Sequence, residues 1–163
     1  DRRSFSFSVL VKNTGTGASD LWGVCHYTGA LTFVSLKIDP STYPSTNFWK
    51  LISDSSSGST HEDVTTLPSA DSAVRLLTVV VTNGVPVLYD GTTKLTNDLL
   101  KYWDINYAVN NKAYFYLGGS AASNRQTYYC YVYEASVWGR ALTTAELEQL
   151  VDYINAKYNL SLS

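Results

Sequence analysis

The sequence predicts an all-β protein: one mainly antiparallel β-sandwich closed by a single C-terminal α-helix. Three observations predict it. Apolar and polar residues alternate along most of the chain, Asn-Gly and Asp-Gly pairs break that alternation at hairpin spacing, and only the segment after Leu142 changes to a helical period. With 163 residues and 45% hydrophobic side chains, the chain has enough apolar surface for one core without help from a cofactor. Roughly ten to thirteen strands fit that length, with the helix covering an end or an edge.

The first strand is read over residues 4–12. Phe5, Phe7, Val9 and Val11 form one face and Ser4, Ser6, Ser8 and Lys12 the other, with Leu10 interrupting the polar side. Gly15-Thr16-Gly17 is a turn; a third glycine and a following helix, which a dinucleotide loop requires, are missing. Residues 21–27 and 31–38 pair as a hairpin through Thr28-Gly29. Pro40 and Pro44 make the next stretch a loop, after which residues 47–52 form a short strand whose Trp49 offers a ring for stacking on sugar. Residues 54–59 are a Ser/Gly-rich loop, followed by His61-Glu62-Asp63 and a short strand over 64–67.

Residues 73–82 form the most hydrophobic strand. Asn83-Gly84 turns it into a strand over 85–89, and Asp90-Gly91 turns that into 92–95. Pro86 cannot donate to a ladder on both sides, so its strand is an edge or carries a bulge. Residues 97–111 are a polar and aromatic excursion, 113–117 a strand, and 120–126 a loop before the long final strand that starts near Thr127. In that last strand simple alternation puts Tyr129, Tyr131 and Tyr133 on one face and Tyr128 on the other, a ladder that is either a sugar-facing groove or, the favoured reading, sheet packing.

The chain's last fifth has the clearest local signals. Thr143 is an N-cap with Glu146 three residues on, and Leu142 and Leu147 occupy the two hydrophobic-staple positions. Leu147, Leu150, Val151, Ile154 and Tyr158 make one apolar stripe, and Asn159 ends the helix in the left-handed conformation.

Residues 132–146 read as a hydrophobic strand holding Glu134, then Trp138-Gly139-Arg140-Ala141-Leu142-Thr143 and Glu146. This pattern resembles the C-terminal signature of the concanavalin A-like, laminin-G-like lectin and glucanase superfamily. Residues 151–160 resemble the Tyr-Leu-x-x-Lys-Tyr-x-Leu ending of bacterial and phage members, Leu88-Tyr89-Asp90-Gly91 a shortened form of the family's central meander, and Gly118-Gly119 the end of one of its strands. The resemblance implies a jelly-roll β-sandwich spanning residues 1–163, and a structural partner for Glu134 in Arg140 or backbone donors. Family members usually carry one strand more before the first strand here. Together with the absence of methionine, this predicts an excised or processed piece lacking an upstream first strand.

Composition narrows the function classes. A net charge of −2, with Arg2-Arg3 the only adjacent basic pair, offers no stripe for a phosphate backbone, so nucleic acid is not an expected partner. No apolar run approaches the roughly 18 residues of a spanning helix. Thirteen tyrosines and only 16% charged residues lean towards an extracellular, cell-surface or virion domain. Cys25 and Cys130, far apart in sequence, either form one cross-sheet disulfide or stand as two buried thiols. Cys25 and His26 are strand neighbours that point to opposite faces and cannot share a metal.

The Glu-x-Asp-x-x-Glu array of β-glucanases is absent, Glu62 and Asp63 are adjacent, and Glu134 is the only carboxylate of the last strand. Neither the Arg/Gln/His/Tyr cluster of polysaccharide lyases, nor a nucleophile elbow, nor a zinc-binding His pair occurs. The expectation is therefore that the chain is not an enzyme.

Binding chemistry remains. Sugars present C–H and hydroxyl faces, so their sites combine aromatic rings with Asp, Asn or Arg. Two loop groups have that combination: Trp103, Asp104 and Tyr107, and Asn124, Arg125 and Tyr128. Both are assigned to one glycan site, whereas Trp22, Trp49 and Trp138 are expected to pack. The expected partners are a glycan or surface polysaccharide and other domains of the same polypeptide. Laminin-G-like domains often hold Ca2+, so calcium is a possible cofactor implied by the resemblance, although no dense Asp/Asn ligand run occurs. A capsid, fibre or surface-layer domain that binds protein and not sugar is the alternative.

Overall fold

The computed structural model describes residues 4–14, 19–26, 32–39, 48–54, 60–64, 73–95, 113–117 and 130–163, with side chains described in 4–12, 14, 73–95, 117 and 130–163. In chain order the elements are β1 (Phe5–Asn13), β2 (Ser19–His26), β3 (Thr32–Asp39), β4 (Phe48–Asp54), β5 (Thr60–Val64), β6 (Val74–Thr82), β7 (Val85–Asp90), β8 (Thr93–Lys94), β9 (Ala113–Leu117), β10 (Cys130–Trp138) and α1 (Thr144–Tyr158). One antiparallel sheet runs β10-β1-β6-β7-β8, and a second group of strands runs β5-β4-β3-β2-β9. The β-rich class with one C-terminal helix is the one expected from the sequence.

A strand lies at Thr60–Val64, overlapping the one expected over residues 64–67 at Val64 alone, and residues 65–67 lie outside the described residues. Thr60–Val64 pairs with β4, Asp54 opposite Thr60 and Lys50 opposite Val64, so Glu62 and Asp63 belong to a strand. Their polarity misled the sequence reading; an outer strand tolerates charged residues because only one of its edges is paired.

The first sheet is apolar on both faces, which explains the unbroken Leu76-Leu77-Thr78-Val79-Val80-Val81 run of β6. Phe7, Val9, Val11, Leu77, Val79, Val81 and Leu88 form one face and are wholly buried. Opposite them, Leu10 and Leu76 receive Val151 and Ile154 of α1, while Val80 receives Leu142 and Leu147. The stripe read from the sequence is thus the surface that docks, and each side chain of this size contributes roughly 1.5–3 kcal/mol on burial.

Two tight turns order the meander. Asn83 and Gly84 both have positive φ (51° and 84°), the geometry a two-residue hairpin between β6 and β7 requires. Among the described residues β8 pairs only with Tyr89 and Asp90, so the stretch of β7 around Pro86 has a described partner on the β6 side alone. This satisfies the edge condition that proline imposes.

The connector from β10 to α1 is fixed by a buried serine. Ser6 Oγ donates to the Arg140 carbonyl (3.0 Å) and accepts from the Leu142 amide (2.9 Å). Helix α1 then starts with the full capping box: Thr143 Oγ1 accepts from the Glu146 amide (3.3 Å) and Glu146 Oε2 accepts from the Thr143 amide (2.9 Å). At the other end Asn159 takes φ 52°, as its residue type favours. Asn155 brackets the following tail, donating to the Leu162 carbonyl (2.9 Å) and accepting from the Leu162 amide (2.8 Å). The tail reaches the β7–β8 turn, where the Thr92 amide donates to the Ser163 carbonyl oxygen (3.0 Å).

Candidate functional site

Trp103, Asp104, Tyr107, Asn124, Arg125 and Tyr128, the glycan-site residues expected from the sequence, all lie outside the described residues. So does Tyr129, while Trp138 packs against the Val80–Leu142–Leu147 cluster as expected. Cys130 is a free thiol whose pKa is pushed up by burial.

Within the described residues, aromatic and charged side chains converge where β10 meets the last turn of α1. Pairing between β1 and β10 is interrupted there: Leu10 faces Glu134, but Val11 faces Val132, so Tyr133 is the extra residue of a β-bulge. Beyond the bulge Lys12 faces Tyr131. Lys12 and Leu10 are two apart on β1 and share a face, so Tyr131 and Glu134 share the helix-side face although they are three apart. The simple alternation read from the sequence fails at this point because one inserted residue inverts it.

The bulge brings Glu134 under the end of α1. Glu134 Oε2 accepts from Lys157 Nζ (2.9 Å) and from the Tyr158 hydroxyl (3.0 Å), and Lys157 also donates to the Tyr153 hydroxyl (2.7 Å). The Lys157 ammonium lies 5.4 Å from the Tyr158 ring centre, within cation–π distance, and meets Tyr153 at its hydroxyl edge. Tyr133 meets Tyr158 edge-on with centroids 6.3 Å apart. The hydrogen bond from Lys157 is the main reason the Glu134 carboxyl is held below the usual carboxylate range, with Tyr158 adding to it. Lys157 is correspondingly held protonated beyond the ordinary lysine range by Tyr153 and Glu134, and burial and then Glu134 push the Tyr158 phenol up.

This corrects the partner implied for Glu134. Arg140 lies past the end of β10 and instead makes a two-pronged pair with Glu146 (2.8 and 2.6 Å). The helix folds back along the strand, so its last turn, not its connector, comes to lie beside Glu134. Of the two sequence readings of the tyrosine run, groove and packing, packing is the favoured one, yet Tyr131 is 64% and Tyr133 46% exposed, with Tyr153 of α1 at 47%. The result is three exposed phenol rings around a fixed carboxylate–ammonium pair, a surface that offers flat apolar faces, donors and acceptors together. No group of three or more His, Cys, Asp or Glu side chains suited to a metal occurs among the described residues. No helix among them is long and apolar enough to cross a membrane.

No family model matches the chain, and no curated protein sequence matches it. Solved structures do match in fold. The sialidase of Trypanosoma rangeli is similar over 92% of this chain and 22% of its own, with TM-score 0.64 and 15% identity. The same enzyme in complex with sialic acid gives 0.63 and 15%, over 92% of this chain and 23% of its own. The binding domain of the paraclostridial mosquitocidal protein 1 gives 0.60 and 16%, over 94% and 38%. The chain therefore spans between about a fifth and two-fifths of these structures. At such identities the likeness is one of fold.

These neighbours overturn the expectation that the chain is not an enzyme. That expectation rested on missing glucanase and lyase signatures, and a fold matching nearly the whole chain occurs within a sialidase. Sialidases use a tyrosine nucleophile and not the carboxylate pair of most glycosidases, so the absent carboxylate array did not bear on their chemistry.

Proposed function

We propose that the chain is a carbohydrate-binding or adhesion module of a larger secreted, cell-surface or virion protein, built on a concanavalin A-like jelly roll. One observation carries the binding reading: Tyr131, Tyr133 and Tyr153 are exposed on one surface around the Glu134–Lys157 pair. Sugar C–H faces stack on such rings while ring hydroxyls and flanking charges take the sugar's hydroxyls. The loop residues Trp103, Asp104 and Tyr107, and Asn124, Arg125 and Tyr128, are proposed as further contacts. The second group leads directly into β10 in sequence.

The jelly-roll reading is supported by the face of the first sheet turned away from α1. Its wholly buried Phe7, Val9, Val11, Leu77, Val79, Val81 and Leu88 require a covering layer, and the β5-β4-β3-β2-β9 group supplies strands for one. The likeness in size and fold to parts of longer chains, one of them a binding domain, is in keeping with a module.

A broad glycan array, with neutral and sialylated members and run with calcium and then with chelator, tests the reading. Wild-type chain is expected to bind a restricted set of glycans. Tyr131→Ala/Tyr133→Ala and Trp103→Ala are each expected to weaken the signal by about tenfold, the loss of one stacking platform. Silence from folded protein would refute the carbohydrate reading, and unchanged binding by both variants would refute the site.

A further inference from the structure

The strands and the C-terminal tail leave an open cleft of about 280 Å³ on the same sheet, bounded by β6, β7, β8 and residues 161–163. Its tail wall is built by specific contacts. Asn155 brackets Leu162 through both amide groups, and the Thr92 amide holds the Ser163 carbonyl. Gly91, at φ +59°, allows the tail to come this close, since a Cβ there would lie 1.8 Å from the Ser163 carbonyl oxygen. The opposite wall carries an ion pair between Arg75 and Asp90, whose side chains keep 16% and 20% exposure. Asp90 Oδ2 makes that contact.

The lining selects a chemistry. Among the lining side chains one cation and one anion, Arg75 and Asp90, balance each other, so they favour neither a strongly anionic nor a strongly cationic ligand. Asp90 offers an acceptor and Thr93 and Ser161 offer hydroxyls, while Val74, Leu95 and Leu162 add apolar surface. The volume lies near the lower end for small-molecule pockets. The geometry points to a binding site for a neutral, monosaccharide-sized polyhydroxyl compound, separate from the tyrosine surface. Its hydroxyls hydrogen-bond with Asp90, Thr93 and Ser161, and its C–H face lies on Leu95 and Leu162. This inference rests on the carbohydrate reading only for the choice of probes.

The test is chemical-shift mapping of the folded chain with a set of methyl hexosides and myo-inositol, repeated on Thr93→Trp, whose indole would fill the cleft. Saturable shifts of the Thr93, Leu95, Ser161 and Leu162 amides are expected, with affinity reduced about tenfold or more in Thr93→Trp and unchanged in Tyr131→Ala/Tyr133→Ala. Shifts confined to the tyrosine surface, no saturable shift with any probe, or shifts that persist in folded Thr93→Trp would overturn the site. Array binding without cleft shifts would sink this inference and leave the carbohydrate reading standing. Cleft shifts with a silent array would do the reverse.

Discussion

Ser6 and Leu142, 136 residues apart, are joined by a hydrogen bond from the Leu142 amide to Ser6 Oγ. The same hydroxyl donates to the Arg140 carbonyl, so one small side chain on the first strand satisfies a carbonyl and an amide of the connector that launches α1. Ser6→Ala is therefore expected to strand a donor and an acceptor. The cost should be about 1–3 kcal/mol, read as a lower urea midpoint at unchanged slope. A midpoint equal to wild type would mean that water replaces the hydroxyl at no cost.

Ser8 and Thr78 test the same rule in reverse. Both are buried on the sheet, and the Thr78 hydroxyl donates to Ser8 Oγ at 3.0 Å. Ser8→Ala alone removes the acceptor and is expected to cost about 1–3 kcal/mol. Ser8→Ala/Thr78→Val removes both polar groups with little change in shape, so the double variant should be more stable than Ser8→Ala alone. Strictly additive losses in the double-mutant cycle would contradict a direct pairwise interaction.

The start of α1 should make stability acid-sensitive. Arg140, then Thr143, holds the Glu146 carboxyl down to about 2 against an ordinary 4.5. A depressed folded-state pKa contributes stability that is present above 4.5 and is lost as pH falls towards 2. Glu146→Gln should melt below wild type at neutral pH, with the two curves converging through that window. Salt should narrow the neutral-pH gap, because the Arg140–Glu146 pair is exposed and screened. The Glu134–Lys157 pair has the same sign, so some acid dependence should persist in the variant.

How much of this was legible in the sequence depends on how local the causes are. The helix from Thr144 to Tyr158, its Thr143–Glu146 box, its Asn159 cap and the Asn83-Gly84 turn were readable because each depends on residues within a few positions. The partner of Glu134 was not. Whether it meets Arg140 or Lys157 depends on the angle at which the connector returns the helix over the strand, which Ser6 sets from the far end of the chain. Nor was the bulge at Tyr133, because it is a mismatch between β1 and β10 and neither strand alone records it. For the same reason the sequence could not decide between an exposed groove and packing for Tyr131 and Tyr133. The Arg75–Asp90 cleft depends on a tail folded back onto a turn some 70 residues earlier in the chain, a contact with no local sequence signature.

Gly91 decides whether that tail can dock. It has φ +59°, where an L side chain is strained by about 1–2 kcal/mol, and the position of an added Cβ is already occupied by the Ser163 carbonyl. Gly91→Ala cannot relieve the second problem by a rotamer change, because both the new atom and its obstacle are fixed to backbone. The tail must move. Its displacement would release the Thr92 amide from Ser163 and loosen the Asn155 bracket on Leu162. Faster amide hydrogen exchange is expected at Thr92 and Leu162, with protection retained at Leu147, which packs in a separate cluster with Val80 and Leu142. Gly139→Ala is the matched control: no atom lies within 4 Å of its added Cβ, so the tail amides should keep wild-type protection. Unchanged exchange at Thr92 and Leu162 in Gly91→Ala would show that the tail does not depend on close approach at Gly91, and the cleft wall would need another explanation.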